Sequence, residues 1–339
     1  MTIIVTGAGG FIGSSLCEYF QKNNIAHLGI DNFSYGYKDN VYKNNVLLFN
    51  FIECDICEQK IEEYIQQGDI IIHLAAISSL PENQSNLLKS FHNNNLGTIN
   101  MLEVSRKKGV SHFIFASTSA VYENSQEYPC TEKEQIIQPY ILYSLGKSHC
   151  EEYCKSFQAL YGLPYTIVRF FNVYGPKNDY HRKFPPLIPY IIKELSEDRQ
   201  PVLHGTGSQS RDYIYIDDLI NFINKIISIP KALNNVYNIS SNSVISVKEI
   251  FSIIQGKLNS TIEPIYREES HFWDAYPSLN EGIYKLDSKY LYKEVNKFTQ
   301  GDNMKAKEEL LWYPEISMVE GISKIVDYYL SKKEQTTIL

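Results

Sequence analysis

Tyr143 and Lys147 stand four residues apart in Tyr143-Ser144-Leu145-Gly146-Lys147, so on a helix a phenol and an ammonium share one face. A tyrosine with an ordinary pKa of about 10 is a poor base near neutrality. A neighbouring ammonium, together with a second positive charge brought by a bound ring, stabilises the phenolate and draws that pKa toward the working range, which suits the pair to taking a proton from an alcohol. The pattern carries little weight alone in a chain with 26 tyrosines and 32 basic residues that are mostly lysine. Its position strengthens it. It lies downstream of the hydroxyl cluster Ser117-Thr118-Ser119, which follows the apolar run His112–Ala116 at the carboxyl edge where parallel sheets bind ligands.

A second constellation is Thr6-Gly7-Ala8-Gly9-Gly10-Phe11-Ile12-Gly13, which follows a β-branched run and opens a helical one. Gly7 permits a tight turn, Gly10 lets a pyrophosphate approach the backbone, and Gly13 lets the helix lie against the sheet. The helix N-terminus then offers free N–H groups and the positive end of its dipole. Asp31 closes the next apolar run, 18 residues past Gly13. A carboxylate there accepts hydrogen bonds from both adenosine ribose hydroxyls and repels a 2′-phosphate, which selects NAD over NADP. Asp55, in Cys54-Asp55-Ile56, is placed to meet the adenine amino group.

These groups need a scaffold, and the chain's rhythm supplies one. Short apolar runs at Ile3–Thr6, Ala26–Asp31, Val46–Asn50, Ile70–Leu74, His112–Ala116 and Tyr165–Arg169 predict strands. Helical spacing between them covers Gly13–Asn23, Glu58–Gln67, Asn94–Lys108 and Tyr143–Tyr161. Such alternation predicts an α/β fold, a doubly wound parallel Rossmann sheet apolar on both faces. After Gly175-Pro176 the rhythm changes: a helix over Leu187–Glu197 and strands at Val202–His204, Tyr213–Ile216 and Val236–Ile239 are expected. This places an NAD-binding domain at 1–175, with segments near 213–240 returning to it, and a smaller α/β substrate domain mainly in 176–339. The 39 acidic against 32 basic residues leave no excess to neutralise phosphates, which argues against nucleic-acid binding. No apolar run reaches the ~18–20 residues of a membrane span, and Met1–Val5 reads as a core strand rather than a signal peptide. The pairs Cys54/Cys57 and Cys150/Cys154 have no histidine at ligand spacing, so no metal is expected, and the six cysteines read as reduced thiols of a cytoplasmic protein.

The set Gly7/Gly10/Gly13, Asp31-Asn32, Asp55-Ile56, His73-Leu74-Ala75-Ala76, Asn95-x-Gly97-Thr98, Ser117-Thr118-Ser119, Tyr143-x-x-x-Lys147 and Arg169-Phe170-Phe171-Asn172-Val173-Tyr174-Gly175-Pro176 resembles the extended short-chain dehydrogenase/reductase family. Within it the chain is most similar to NAD-dependent nucleotide-sugar epimerases. The likeness continues through Gly205–Asp218, Gly301–Lys307 and Leu311-Trp312-Tyr313-Pro314, about nine-tenths of the chain. It implies that Tyr143 is the base, Lys147 its partner and a hold on the nicotinamide ribose, and Thr118 a hydrogen-bond donor to the reacting oxygen. It implies that Gly7, Gly10, Phe11, Ile12, Gly13, Asp31, Asn32, Ser34, Gly36, Asp55, Ile56, Leu74, Ala75, Ala76, Asn95, Ser117, Tyr143, Lys147 and Phe170 line the cofactor. It implies that Ser78, Thr118, Asn172, Leu187, Val202, His204, Arg211 and Arg267 meet the nucleotide sugar, and that the protein is a homodimer through helices near 94–108 and 143–161. Arg211 and Arg267 are two of only six arginines, and a guanidinium fork suits a diphosphate.

The residues after Thr118 separate the members of this family. Its 4,6-dehydratases carry Asp-Glu there, and its sugar-acid decarboxylases a Glu two places on. Here the positions are Ser119 and Ala120, so elimination and decarboxylation lose their usual acid and base. Simple oxidation and re-reduction at C4 needs only Thr118, Tyr143 and Lys147, which favours a 4-epimerase acting on a UDP-hexose or UDP-N-acetylhexosamine. A dehydratase with another carboxylate in place, such as Glu123, or another epimerase of the same family is the nearest alternative, and a non-catalytic NAD-binding protein a distant one. Two departures stand out. An aromatic insertion (Phe272, Trp273, Tyr276, Tyr284, Tyr290, Tyr292) occupies 268–298, as a lid over base or sugar or as a surface element. Thr299, three residues before Asp302, falls near a position where the family gates the sugar by bulk, and a small residue there would admit a 2-acetamido group.

Overall fold

The computed structural model describes residues 1–178, 185–274 and 276–337, without the side chains at 273, 280, 291 and 334–337. The ring of Trp273, and whatever of the domain and insertion expectations falls on 179–184, 275 and beyond 337, lie outside this description.

Seven strands form one parallel sheet: β1 (Ile3–Thr6), β2 (His27–Asp31), β3 (Phe51–Glu53), β4 (Ile70–His73), β5 (His112–Thr118), β6 (Tyr165–Phe170) and β7 (Asn235–Ile239). Their order is β3-β2-β1-β4-β5-β6-β7. The connection reverses direction beside β1, which creates the crevice where doubly wound sheets bind ligands. β1 and β4 are buried along their whole length, as strands covered on both faces must be. Three helices matter to the site: α1 (Phe11–Lys22), α2 (Gly97–Lys108) and α3 (Leu142–Tyr161). α2 and α3 both end on a glycine at positive φ, Gly109 and Gly162, which releases the chain toward the next strand.

Two expected elements fall elsewhere. The third strand is Phe51–Glu53, whereas Val46 and Leu47 pair with Tyr42 and Lys43 in a short hairpin and are exposed. The stretch from Glu58 coils as a tight 3₁₀ turn over Gln59–Tyr64, too short for an α-helix. Before α2 the chain makes a π turn over His92–Leu96, which directs both Asn94 and Asn95 inward.

The chain divides into two compact units. The first comprises 1–170, 220–239 and 302–313; the second comprises 171–219, 240–301 and 314 onward. Residues 302–313 were expected in the second unit but pack in the first. Glu309 accepts from Tyr237 Oη (2.8 Å), Lys305 Nζ donates to Asn235, and Trp312 meets Phe222 edge-on. The second unit holds a three-stranded sheet of Val244–Ser246, Ser210–Tyr215 and Asn172–Tyr174, and a parallel pair, Val202–His204 with Ile265–Arg267. Helices Leu187–Ser196, Val247–Lys257 and Met318–Thr337 belong to it. Among the described residues no helix is long and apolar enough to cross a membrane.

Candidate active site

The glycine loop between β1 and α1 is shaped by what a side chain would hit. A Cβ on Gly13 would sit 2.2 Å from the Gly7 carbonyl oxygen, and one on Gly7, at φ +75°, would sit 2.8 Å from Ala75 N. Gly10 meets only the Gly7 carbonyl, at 3.2 Å, so its other side is open. Gly10 caps α1 with no side chain, and the first intrahelical bond runs from Ser14 N to Gly10 O. The N–H groups of Phe11, Ile12 and Gly13 therefore have no partner within the helix. An open cradle with three such donors fits a pyrophosphate.

Asp31, at the end of β2, accepts from Gly9 N (2.9 Å) and Phe33 N (2.7 Å), which orient its carboxylate. Burial pushes its pKa up, against the pull of those backbone bonds. Gly36 lies so close that a Cβ would come within 2.9 Å of Asp31 Oδ1 and of Gly9. Asn32 Nδ2 donates to Asp55 (2.7 Å), and Ser34 N to the Asn32 side chain. Ile56 is buried in space that Gly97 leaves open, where a Cβ would meet Ile56 at 2.6 Å.

At the end of β4, His73 is neutral. Burial, and then the charge of Lys147, push its pKa down to about 3. Thr98 Oγ1 gives its proton to Asn94 O (2.6 Å) and so accepts from His73 Nε2, leaving Nδ1 to accept from Thr6. Thr6 Oγ1 in turn accepts from Ala75 N, which ties the Leu74-Ala75-Ala76 turn to the glycine loop. Ser78 is exposed.

α3 carries the catalytic pair. Tyr143 is buried, with its phenol beside the Thr118 side chain. Lys147 Nζ donates to Ala116 O at 2.7 Å, over the ring of Phe115. Burial lowers the Lys147 pKa to about 8. Burial pushes the Tyr143 pKa up to about 12, and the Thr118 side chain opposes that rise; the expected lowering rests on the ammonium together with the nicotinamide ring. Asn95 Nδ2 donates to Gly146 O, and its side-chain oxygen fills the space where Gly146 lacks a Cβ. Ser117, expected to line the cofactor, gives its hydroxyl to Glu151 (2.5 Å). Phe170 pairs with Thr118 at the ends of β6 and β5.

Glu123 is buried. One carboxylate oxygen accepts from Ile141 N, the residue that caps α3, and Oε1 has no partner among the described residues. This explains a carboxylate in that turn: it sits at the positive end of the catalytic helix.

In the second unit, Asn172 Nδ2 donates to Asp212 O (2.8 Å) and faces Thr299 Oγ1. Thr299 is buried and bridges to Arg211 through the backbone. Arg211 Nη2 donates to Glu294 O (2.8 Å) and Val295 O, the last carbonyls of helix Ser288–Val295 in the aromatic insertion. Its expected grip on a diphosphate is thus partly taken by the insertion. Arg267 is exposed; its backbone accepts from Gly205 N. His204 meets Phe272 edge-on at 5.5 Å, and Val202 N donates to Tyr190 Oη. Leu187 starts its helix half-buried.

The profile of the NAD dependent epimerase/dehydratase family matches residues 3–240. The chain belongs to this family. Over 338 residues it is 26% identical to a UDP-glucose 4-epimerase of Mycolicibacterium smegmatis, covering 98% of this chain and 100% of that one. The crystal structure of a Thermotoga maritima UDP-glucose 4-epimerase with UDP-glucose superposes with a TM-score of 0.84 at 28% identity, over 98% of this chain and 100% of that one. A Bacillus cereus UDP-glucuronic acid 4-epimerase, solved with UDP-glucuronic acid and NAD, gives 0.82 at 26% identity, over 98% and 100%. A member of this family uses NAD, and the glycine cradle and Asp31 fit that cofactor.

Glu151 and its partner Arg169 were not foreseen at this site. The signal was present: Glu151 follows Lys147 by one more turn on the face of α3 that carries Tyr143.

Proposed function

We propose that the chain is an NAD-dependent nucleotide-sugar 4-epimerase working on a UDP-hexose or UDP-N-acetylhexosamine. Tyr143 takes the proton of the sugar C4 hydroxyl, and Thr118 hydrogen-bonds the same oxygen. When bound, NAD accepts and returns the C4 hydrogen with its electron pair and places a positive ring where phenolate charge is favoured. The 4-keto sugar turns over, Tyr143 gives the proton back, and C4 is inverted with no net oxidation. Lys147 keeps the phenol's surroundings positive and holds the ribose. Gly7, Gly10 and the N–H groups of Phe11–Gly13 hold the pyrophosphate, and Asp31 the adenosine ribose. Arg211, with the guanidinium edge not spent on the insertion, and Arg267 serve the sugar diphosphate.

One observation carries this reading: Thr118 and Tyr143 lie together at the carboxyl edge of β5, while the two residues after Thr118 are Ser119 and Ala120. A reversible carbinol oxidation is equipped, and an elimination is not. Exposed Leu88, Phe91 and Leu96 near the start of α2, with Leu160 and Tyr161 at the end of α3, support a homodimer through these helices. The absence of disulfide spacing and the soluble substrate class support a cytoplasmic site of action.

The test is a panel of UDP-, GDP-, CDP- and dTDP-sugars with products resolved by NMR. Inversion at C4 with conserved mass supports the reading, and loss of water selects the dehydratase. Tyr143→Phe is expected to lose at least ~10³-fold in kcat while still binding NAD. Retained turnover would refute Tyr143 as the base.

A further inference from the structure

We propose that Glu151 is a positioning residue for the Tyr143–Lys147 pair, held in place by Arg169. The proposal rests on the epimerase reading above for its kinetic consequences, and on geometry alone for the positioning itself.

Three successive residues of β5 bind three turns of α3. Thr118 faces Tyr143, the Ala116 carbonyl accepts from Lys147, and between them Ser117 donates to Glu151. Tyr143, Lys147 and Glu151 lie at i, i+4 and i+8, so one helical stripe is stitched to one strand end. Two of these contacts involve groups that must engage ligand and substrate, so they are not free to act as fixed anchors. Glu151 touches neither in this role, and its side chain is fully buried. Arg169, next to Ser117 in the register of β6 on β5, clamps it bidentately: Nε to Oε1 at 3.0 Å and Nη2 to Oε2 at 2.7 Å. Arg169 Nη1 donates to Tyr122 Oη (2.7 Å), which donates to Asn238 on β7. Each polar atom of the carboxylate is thus bonded, and the chain of bonds spans α3, β5, β6 and β7. A fully satisfied buried network has one geometry and therefore fixes the helix register. It also explains why one of the few arginines opens the Arg169–Pro176 motif: a fork, not a point charge, is required.

Glu151→Gln leaves Arg169 buried and unpaired, so the decisive variant is the double change E151Q/R169Q, which removes both charges and keeps hydrogen-bonding groups. Hydrogen–deuterium exchange of the ligand-free protein is expected to show at least ~10-fold faster exchange of amides 143–150 than in the parent. With UDP-glucose and UDP-N-acetylglucosamine as probes, kcat is expected to fall about 10–100-fold with KM within about threefold. Glu151→Asp, which keeps the charge but not the reach, is expected not to restore kcat. Unchanged exchange at 143–150 overturns the positioning role whatever the activity. A KM that rises in step with the kcat loss, or an unchanged kcat, overturns the role of Glu151 in positioning the pair for turnover. If the parent turns over neither sugar, the epimerase reading fails, and the exchange result alone decides the proposal.

Discussion

Lys147 gives the sharpest physical test of the site, because its function and the stability of the chain pull in opposite directions. Its ammonium is buried and its pKa is lowered to about 8, first by desolvation. In the unfolded chain a lysine titrates at about 10.4. Between these values the unfolded state binds more protons than the folded one, so stability rises with pH across that window. Below pH 8 the full penalty applies, roughly 3 kcal/mol from a displacement of about 2.5 pH units. Against it stand the hydrogen bond to Ala116 O and the contact with the Phe115 ring, together about 1–2 kcal/mol. Lys147→Met keeps an unbranched chain of similar length in the same slot. The variant is expected to be more stable than the parent by about 1–2 kcal/mol at pH 7 and inactive as an epimerase. Urea unfolding at pH 7 and at pH 10 measures the difference, which must shrink as the parent's lysine loses its proton. A Met variant less stable than the parent at pH 7, or a gap that is the same at both pH values, would refute the account of a desolvated charge held for function.

Gly13→Ala drives a Cβ to within 2.2 Å of the Gly7 carbonyl, against backbone that has no room to yield, and is expected to lose at least ~3 kcal/mol of stability along with NAD binding. Gly10→Ala meets only one atom at 3.2 Å, so it is expected to cost about 1 kcal/mol or less of stability yet weaken NAD about 100-fold by blocking the phosphate; thermal melts beside NAD titration separate the two. Arg211→Ala is expected to raise the KM for a UDP-sugar about 10–100-fold and to speed amide exchange in Ser288–Val295, since the same guanidinium holds that helix's last carbonyls. An unchanged exchange rate there would dissociate the arginine from the insertion. Asp212 is buried and its pKa is raised to about 6, mainly by desolvation, so its contribution is present below about pH 4 and falls by about 3 kcal/mol as pH rises through 6. The stability difference between the parent and Asp212→Asn should decline over that interval, and a flat difference would contradict it.

What could be read from the chain alone follows from how far each constraint reaches. Gly7, Gly10 and Gly13 were legible because a turn and a close helix approach depend on residues a few positions apart, and a missing Cβ is visible in sequence. Tyr143 and Lys147 were legible for the same reason, since helical periodicity is local. β3 was misplaced because Val46 and Leu47 are as β-prone as Phe51–Glu53, and only pairing with β2 distinguishes them. The return of 302–313 to the first unit depends on partners such as Tyr237 that are distant in sequence. The partner of the Lys147 ammonium was not legible: spacing along α3 put Lys147 beside Tyr143, while its hydrogen bond runs to β5, which helical spacing does not reveal. The same strand end gives the Ser117 hydroxyl to Glu151. The site is therefore a helix placed against a strand, and its chemistry is decided in the register between them. A family motif names the reacting groups. The residues that hold the register, here Ser117, Glu151 and Arg169, become visible only when the two elements are side by side.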